Sequence, residues 1–594
     1  EDMAFRLYNY RKRIDKEFPE GSIDWTDLEI EDISLSGHNL RMKGPVMYGV
    51  CDHLSFREKS GYTCSNISGS VRAGDGSVLV AGLTLQDGMS DLSIPSFEMT
   101  YADSDAWSEF ITEVRMKADI SESIVSMESL GYFAPSLKKF SMTASVEGEM
   151  EGYVNDLHFK DIHFKTTDKT SLPIVEKDWY RGIKGTADGS IVGLPDSKAM
   201  LTDFRVKNAS FTSWGLERFL KCWNPHIKLS LGEYCKGERL YFTGHARGPL
   251  NRLTARGILH AAGGEIKTVL DIRNVADKRR PIEMRGTLTG KGVDIAKASG
   301  RDLPIGQCDI RTGLSAKLSG GVPDIVIDSL FIDRLGVHGY EYTGIAANGR
   351  YSGNAFDGRI VCNDPNLNLL FQGIFTLSSK TNNSIYRFYA NVGYADLGAL
   401  GLMHRKEMAK VSFSTNADFT RIRGKEILGN IGIGNIQLED GQGIHDVGDI
   451  RISSHSADTV SRISFISGFA DGSYTGSRFV NFFVKDLNAA SSGRALPSLG
   501  CTENSEYKRN RYKVSLRFHD TMRLLSFFAP GSYIADSTCL DINLDRGGHL
   551  DATLKSSRLA YRDRYLKDVS VKTKNAGDSL RLSLTAGEIS VGPA

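Results

Sequence analysis

The sequence lacks the features that mark several large classes of protein. Lys plus Arg is 73 and Asp plus Glu is 72, so the formal net charge is +1 and no basic excess points to nucleic acid. No stretch approaches 18 consecutive apolar residues, and the densest runs, such as 77–83, have the length of a strand. Proline is scarce, at 15 residues, and no Pro-, Ser- or charge-rich linker divides the chain. We therefore expect one continuous architecture that does not span a membrane.

Catalytic and metal-binding motifs are also missing. The cysteines form no CxxC pair, and the chain contains no GxSxG, HExxH or Walker sequence. His158 and His163 alternate with apolar residues on a side that we interpret as solvent-facing. Glu149 and Glu151 share one face of one strand, where acidic surface residues commonly lie. We predict no catalytic residue, no metal ligand and no cofactor, and we expect that this chain is not an enzyme.

Composition and length are those of a folded protein. Hydrophobic residues make up 40% and charged residues 24% of the 594 residues. At roughly 150 residues per domain this length predicts about four domains or one long repetitive domain. The chain begins with Glu1 and shows no basic-then-apolar targeting segment, so we expect an internal or processed piece of a longer protein.

Apolar residues at every second position form the dominant pattern. In 141–151, Met142, Ala144, Val146 and Met150 fall on one face, and hydroxyl and acidic residues fall on the other. A strand with one wet face belongs to an antiparallel or curved sheet. The candidate lining residues of the apolar face are Met142, Ala144, Val146, Met150, Leu314, Ala316, Leu318, Phe388, Ala390, Val392, Val411, Phe413, Ala417, Phe419, Leu580, Leu582 and Leu584.

Helical signals are few and short. Ile120, Ile124, Met127 and Leu130 have helical spacing, and this segment stops at Pro135. The segment 214–223 places its large apolar residues near one stripe. Weaker candidates are 293–299, 396–403, 486–499 and 521–528.

These patterns predict an all-β fold, an elongated, repetitive, curled antiparallel sheet with a few short amphipathic helices. The strings at 132–135 and 157–166 have similar counterparts at 527–530 and 566–573, which indicates an internal repeat and a solenoid-like array. We expect one continuous array rather than independent domains. Its segments are 1–110, an N-terminal β segment, followed by 111–210, 211–290, 291–390, 391–485 and 486–594, each a helix with strands.

Two pairs of cysteines have a spacing that one hairpin could close. Cys51 and Cys64, like Cys222 and Cys235, lie thirteen residues apart. A disulfide and two buried free thiols explain this spacing equally well, and spacing alone does not decide between them.

The apolar face must be covered, because large exposed apolar areas are rare in soluble proteins. A second sheet could cover it, giving tandem β-sandwiches. The sheet could also curl and pack dry against itself, as a filled barrel or a β-helix. Alternatively, it could form a trough whose lining is occupied by lipid acyl chains. The uniform one-sided pattern favours a continuous groove.

Several strings resemble the TamB family, the inner-membrane subunit of the translocation and assembly module and a member of the AsmA-like superfamily. The resemblance is to its Bacteroidetes branch and runs from about residue 20 to the end. Five strings carry it in order: 54–62 (LSFREKSGY), 82–92 (GLTL to SDL), 132–137 followed by 154–157 (YFAPSL, VNDL), 193–196 (GLPD) and 394–400 (YADLGAL).

The resemblance implies an elongated β-taco, which is a curled sheet with an apolar groove, in the periplasm of a Gram-negative bacterium. The family is anchored in the inner membrane, meets an outer-membrane barrel protein of the TamA type, and is implicated in phospholipid transport and outer-membrane protein assembly. We recognise neither the anchor nor the C-terminal signature domain here, so both contacts would use regions outside this chain. The expected ligands are phospholipids, with bound acyl chains possible and no cofactor.

Three functions remain open from the sequence. The first is a bridge segment that conducts phospholipids between the inner and outer membranes. The second is a scaffold that assists outer-membrane protein assembly by β-strand augmentation. The third is a tandem β-sandwich that binds surface glycans or acts as an adhesin.

Overall fold

The computed structural model describes most of the chain, and this part is almost entirely β-structure. The described residues are 3–8, 21–24, 27–133, 135–138, 140–179, 181–194, 196, 200–223, 234–249, 251–274, 280–318, 323–376, 383–403, 409–422, 427–457, 460–495, 508–576 and 579–592. They contain 33 strands in one antiparallel sheet and a few short helices, which confirms the predicted fold class.

The strands of the first half are mostly ten or more residues long and follow one another closely. They are β1 (Met3–Tyr8), β2 (Asp27–Lys43), β3 (Val46–Glu58), β4 (Thr63–Gly74), β5 (Ser77–Gln86), β6 (Asp91–Thr100), β7 (Arg115–Ser126), β8 (Thr143–Tyr153), β9 (Asp156–Thr167), β10 (Lys184–Val192), β11 (Leu201–Phe211), β12 (Leu240–Pro249), β13 (Arg252–Ala261), β14 (Gly264–Arg273), β15 (Ile282–Asp294), β16 (Ile305–Leu318) and β17 (Asp324–Val337).

The second half has the same organisation. Its strands are β18 (Tyr340–Ser352), β19 (Ala355–Asp364), β20 (Leu367–Thr376), β21 (Asn383–Asp396), β22 (Lys410–Ile422), β23 (Ile427–Asp440), β24 (Gly443–Ala457), β25 (Val460–Ser467), β26 (Ala470–Gly476), β27 (Tyr512–Phe518), β28 (Ser532–Ile534), β29 (Cys539–Leu544), β30 (Leu550–Tyr561), β31 (Arg564–Ala576), β32 (Ser579–Thr585) and β33 (Glu588–Ser590).

The chain divides into two compact units, residues 1–330 and 331–594. Within each unit, strands that follow one another along the chain pair antiparallel, as in the hairpins β13–β14 and β19–β20. The short β28 in the second unit is an exception to this order. It pairs with β30, and β27 pairs with β29 instead of with β28. The division into six segments remains a prediction.

The helices are α1 (Phe110–Glu113), α2 (Met127–Phe133), α3 (Glu176–Trp179), α4 (Ser213–Trp223), α5 (Ile295–Ser299), α6 (Val480–Ala495) and α7 (Met522–Phe528), with 3₁₀ turns at Ser104–Glu109 and Pro135–Leu137. The helices predicted at 214–223, 293–299 and 521–528 are therefore confirmed, within a residue or two at their starts. The helix predicted at 486–499 begins six residues earlier than expected, and 496–499 lie outside the described residues.

Two helix predictions are corrected by the structure. Ile120 and Ile124 lie in strand β7, and the helix begins only at Met127. The segment 396–403 is a turn and not a helix. Its first residue, Asp396, accepts hydrogen bonds from the amides of Gly398 and Ala399 at 3.1 and 3.0 Å, an aspartate turn that competes with helix formation.

β-Bulges bend several strands at residues in the left-handed backbone region. Three such bulged residues donate their N–H to the carboxylate of an aspartate on the following strand, which satisfies a group that the ladder leaves unpaired. The pairs are Asp161 with Asp188 (2.8 Å), Gly292 with Asp309 (2.6 Å) and Asn435 with Asp449 (3.4 Å). Since a bulge increases local twist, these residues set where each strand bends.

The two similar strings at 157–166 and 566–573 share a backbone feature. Asp161 in β9 and Asp568 in β31 each follow a lysine, and both have positive φ, 52° and 49°. Aspartate tolerates this region better than most residues with a side chain. The resemblance between the strings therefore extends to their local conformation; Ala134, in the other repeated string, lies outside the described residues.

Fully buried apolar clusters lie where a helix packs on the sheet. Phe483 of α6 packs with Tyr512, which is completely buried, at 5.4 Å between ring centroids. Phe527 of α7 joins Leu438 in a second cluster, each about 1% exposed. In the first unit Tyr62 packs against α2. A further cluster, around Val392 and Leu400, lies at the turn 396–403 and includes no helix. The dry cores are therefore local and lie where a helix or this turn packs on the sheet.

Candidate functional site

A continuous row of small and apolar residues crosses the sheet of the first unit. Each member is the register partner of the next on the neighbouring strand, from β3 to β16. We call this set the first apolar row. Its members are Gly49, Val71, Val80, Phe97, Ala118, Met150, Phe159, Gly189, Phe204, Ala246, Ala255, Leu270, Gly286 and Leu314.

The second unit contains a row of the same kind, which we call the second apolar row. It begins on β18 and ends on β32, again with one residue on each strand and bypassing only the short β28. Its members are Gly349, Gly358, Gly373, Phe388, Ala417, Ile431, Ile452, Phe465, Gly472, Leu516, Leu540, Leu554, Val571 and Leu584.

Most residues of both rows are half-buried. Only Ala118 and Ala417, at 1% and 5% exposure, are fully buried, and only Leu584, at 56%, is fully exposed. A sealed core would bury the large members of such a row completely, whereas the opposite face carries exposed charged residues such as Arg256 and Arg387. The rows therefore form an apolar face that the protein itself covers only in part.

The predicted lining residues all lie on or beside these rows. Met150 and Leu314 belong to the first row, and Phe388, Ala417 and Leu584 belong to the second. Met142 lies just before β8 and is buried. The others are neighbours of row members on the same face: Ala144, Val146, Ala316, Leu318, Ala390, Val392, Val411, Phe413, Phe419, Leu580 and Leu582.

The last of these strands differs from the others in its exposure. Leu582 and Leu584 are 66% and 56% exposed, because β32 pairs with β31 on one side and has no described strand on the other. Leu580 on the same strand packs against the cluster that α6 forms. The apolar face is thus covered by a helix at one end of β32 and open at the other.

Aromatic and leucine side chains cover glycines on the apolar face. A Cβ atom at Gly189 would collide with the ring of Phe204, and one at Gly257 would collide with the ring of Phe242. In the second row a Cβ atom at Gly472 would lie 2.6 Å from Leu516 Cδ2. Glycine leaves room for the neighbouring side chain to lie close to the sheet. The face is therefore smoother than its content of large residues suggests, and this contribution of glycine was not predicted from the sequence.

The acidic and histidine residues considered as catalytic candidates are engaged in surface interactions. Glu149 pairs with Lys160 at 3.4 Å, and Glu151 pairs with Arg115. His163 Nδ1 lies 2.9 Å from the hydroxyl of Thr186. No group of three potential metal ligands occurs among the described residues.

The cysteines predicted as disulfide candidates are free thiols in the structure. Cys51 is the register partner of Gly69, whereas Cys64 lies opposite Phe56, five residues farther along β3. At about 3.3 Å per residue this separates the two cysteines far beyond the roughly 7 Å that a disulfide permits. Cys222 lies in α4, and the amide of Cys235 donates to Ala298 O; neither cysteine forms a disulfide.

Shifted pKa values have ordinary structural causes. Hydrogen bonds from Arg6 and then Lys59 lower the pKa of Asp27 from 3.8 to about 2, and the Lys59 Nζ to Asp27 Oδ2 distance is 2.8 Å. Burial, and secondarily the charge of Asp309, raises the pKa of the Cys308 thiol to about 11. Burial and a hydrogen bond to a carboxylate raise the pKa of Tyr512. Burial, and secondarily the nearby Asp364, raises the pKa of Tyr340, Tyr342 and Cys362, which surround the buried Asp364. Burial opposes ionisation of Asp364, but hydrogen bonds from the Tyr340 hydroxyl and from backbone amides outweigh it and lower the pKa of this carboxyl. These shifts stabilise strands or follow from packing.

Comparisons with known proteins do not assign this chain to a family. No protein-family model, no curated protein and no solved structure matches it. Within the described ranges, no helix combines the length and the apolar character needed to cross a bilayer.

Proposed function

We propose that the apolar face binds phospholipid acyl chains and conducts phospholipids, as one segment of a bridge between the inner and outer membranes that contributes to outer-membrane biogenesis. The observation that supports this is the half-burial of the two apolar rows across successive strands. A face that is apolar but incompletely covered is typical of a surface that another apolar molecule completes.

The energetics of acyl chains favour such a surface. Burial of one methylene contributes about 0.8 kcal/mol, so a two-chain lipid leaves a membrane only at a large cost in free energy. A continuous apolar row lowers this cost at every step while the polar headgroup remains in water. The rows contain no charged residue, and glycines such as Gly189 and Gly472 keep them smooth. Movement along them needs no tight binding site, which would slow transfer.

The cellular setting of the proposal comes from the resemblance to the TamB family. We propose a periplasmic location in a Gram-negative bacterium of the Bacteroidetes type. An inner-membrane anchor and an outer-membrane barrel partner of the TamA type would be contacted by regions outside this chain. The chain itself would contribute only the apolar face.

The test is to purify the protein without detergent and to identify bound molecules by native mass spectrometry. Val146→Asp and Phe413→Asp place a charge on the apolar face of each unit. Asn416→Asp is the matched control, because Asn416 is exposed on the opposite face of the same strand as Phe413. Circular dichroism melting shows whether each variant is folded.

Bound phospholipid in the wild type and in Asn416→Asp, with fewer bound lipids per molecule in folded Val146→Asp and Phe413→Asp, is the expected result. A lipid-free wild type, with both apolar-face variants unfolding, would instead mean that the face packs dry, and the lipid proposal would then fail.

A second candidate function rests on the edge formed by β32 and β33. Both strands pair with β31, no described strand lies on their other side, and Leu582 and Ile589 are 66% and 59% exposed. An open edge with exposed apolar side chains can accept an added strand, as a scaffold for outer-membrane protein assembly would. A photo-crosslinker at Leu582 that captures unfolded barrel strands, from protein containing little lipid, would favour this function over lipid transfer.

A further inference from the structure

The polar face of the first unit contains a basic cleft between strands β9 to β11 and helix α3. Two adjoining concavities of about 300 and 280 Å³ share Lys165, Lys184 and Ser210. Trp179 and Arg239 line the larger of the two. We call these five residues the basic cleft. It lies on the side of the sheet opposite the first apolar row and is separate from the proposed lipid path.

The structure fixes two lysines opposite each other in this cleft. Lys165 on β9 is the register partner of Lys184 on β10. The next residues along these strands hold that register, since the amide of Thr166 donates to Ile183 O at 2.8 Å and the amide of Ile183 donates to Thr166 Oγ1 at 3.0 Å. Like charges directly opposite each other destabilise a sheet. The lysine pair therefore destabilises the sheet locally, and a bound anion would offset this destabilisation.

Acidic side chains nearby compensate this charge only weakly. Glu122 Oε1 lies 3.9 Å from Lys165 Nζ, and the Glu122 side chain is 77% exposed, so the pair contributes little. Among the described residues, Lys184 forms no ion pair. Glu176 and Glu147 also line these concavities, next to Lys165 and Lys184. The three glutamates equal Lys165, Lys184 and Arg239 in number, so the lining is balanced in formal charge. What favours an anion is the placement of the two ammonium groups, since Lys184 has no carboxylate within ion-pair distance among the described residues.

The hydroxyl groups and the indole ring of the cleft suit a phosphate that is attached to glycerol or a sugar. The hydroxyls of Ser210 and Thr212 and the ring of Trp179 line the larger concavity. Beside it, Arg181 and Arg218 stack on the ring of Trp214, at 5.3 and 4.6 Å from its centroid. Arg218 also forms an ion pair with Asp168, so of these two arginines only Arg181 is counted as positive charge next to the cleft. Hydroxyls can bond to phosphate oxygens, and an indole ring can pack against glycerol or sugar carbons.

We propose that the basic cleft binds a phosphate ester, with the phosphate held by Lys165 and Lys184 and the attached glycerol or sugar against Trp179. Two lysines on adjacent strands provide charge-assisted hydrogen bonds to phosphate oxygens. A concavity of about 300 Å³ is at the lower end of the range for small-molecule sites. The ester is either a lipid headgroup or a soluble compound, and the experiment separates these sources.

The test uses the full chain with glycerol 3-phosphate and inorganic phosphate in isothermal titration calorimetry, and vesicles of phosphatidylglycerol or phosphatidylcholine in flotation. Lys165→Gln and Lys184→Gln are expected to weaken phosphate ester binding about tenfold or more. Lys160→Gln is the matched control. Lys160 lies on the polar face of β9, like Lys165, but outside the cleft, and the substitution removes the same single positive charge. Its affinity is expected to remain within about twofold of the wild type.

Binding of glycerol 3-phosphate that both cleft variants weaken and the control preserves supports a soluble ester. Binding to phosphatidylglycerol vesicles but not to glycerol 3-phosphate supports a lipid headgroup, provided that both cleft variants weaken it and Lys160→Gln does not. Loss of binding that is equal in all three variants would indicate non-specific charge attraction, and absence of binding to every probe would overturn the proposal.

Thermal melting provides a readout that does not depend on the ligand chosen. Without ligand, Lys184→Gln is expected to melt at the same or a higher temperature than the wild type, because it removes a like-charge pair. A phosphate ester should then raise the melting temperature of the wild type more than that of the variant. Phe413→Asp, on the apolar face, should not change how far a phosphate ester raises the melting temperature. The lipid proposal and the cleft proposal can therefore fail independently of each other.

Discussion

The ring of Phe204 lies over Gly189, its register partner on β10, and fills the space that a side chain at that position would need. Gly189→Ala is therefore expected to push the ring away and to destabilise the protein by about 1–3 kcal/mol. The matched control is Gly432→Ala, because a Cβ atom there would meet only Asn416 O at 4.0 Å. That variant is expected to change stability by no more than about 0.5 kcal/mol. Chemical denaturation monitored by circular dichroism measures both, and equal stabilities would show that the ring can move without cost.

Alternation in the sequence predicted the strands because each has one apolar and one polar face. The error at Ile120 and Ile124 has a structural cause, since β7 contains a bulge between Ile120 and Ser123. Because of the bulge, Ile120 pairs with Gly148 and Ile124 with Ser145, so the two side chains lie on opposite faces of the sheet. A spacing of four residues fits one face of a helix, and in this strand it does not mark one face. A bulge depends on pairing with a neighbouring strand, and a single sequence does not reveal it.

Cross-strand register is the information that the sequence did not contain. Alternation identified Met150 and Phe388 as members of an apolar face, but it did not show that each continues a row over many strands. The juxtaposition of Lys165 and Lys184 likewise follows from register and was missed. A lysine on the polar side of a strand is ordinary, and only the pairing of two lysines in a concavity distinguishes these.

Helix α6 is expected to stabilise the second unit through one face only. Phe483→Asp places a charge against the buried Tyr512, where Phe483 is 8% exposed, and should destabilise the protein by about 3 kcal/mol or more. Val484→Asp on the same helix is the control, since Val484 is 54% exposed and should tolerate the change. Thermal melting distinguishes the two, and similar melting temperatures would mean that α6 does not seal this cluster.

The cysteines are expected to differ in reactivity according to burial. At pH 8, N-ethylmaleimide should label Cys51 and Cys539, which are partly exposed, before Cys308. Cys308 is 2% exposed, and its pKa is raised to about 11 by burial, so little thiolate forms. Mass spectrometry of native and unfolded protein, without reductant, measures this order. A pair of these cysteines that resists labelling after unfolding would reveal a disulfide and contradict the structure.

The N-terminal strand is expected to be held by a pH-sensitive ion pair. Arg6 on β1 and Lys59 lower the pKa of Asp27 to about 2, so the stabilising contribution of Asp27 is complete above its ordinary pKa of 3.8. It is lost as the pH falls from about 4 towards 2. Asp27→Asn should therefore be less stable than the wild type at pH 6, and the difference should shrink as the pH falls below about 4 and vanish only below the folded-state pKa of about 2. Denaturant titrations at several pH values measure this, with Glu31→Gln on the same strand as the control.

The continuity of the first apolar row gives a further prediction about transfer. Leu270 lies within the row on β14, and Val269 beside it points to the opposite face, where it is 44% exposed. If lipids move along the row, Leu270→Asp should slow phospholipid transfer between vesicles about tenfold or more, because each passing acyl chain would meet a charge in an apolar surface. Val269→Asp introduces the same charge on the wet face and should leave the rate nearly unchanged.

Binding and transfer are expected to respond differently to that substitution. In folded Leu270→Asp, phospholipid should still be found by native mass spectrometry, because the rest of the row remains apolar on both sides of the charge. Leu314→Asp, near the end of the same row, tests whether the effect depends on continuity or on one position. Slow transfer with retained lipid in both variants is the result that a continuous path requires. Unchanged transfer in both, with their folds intact, would mean that the row binds lipid without conducting it.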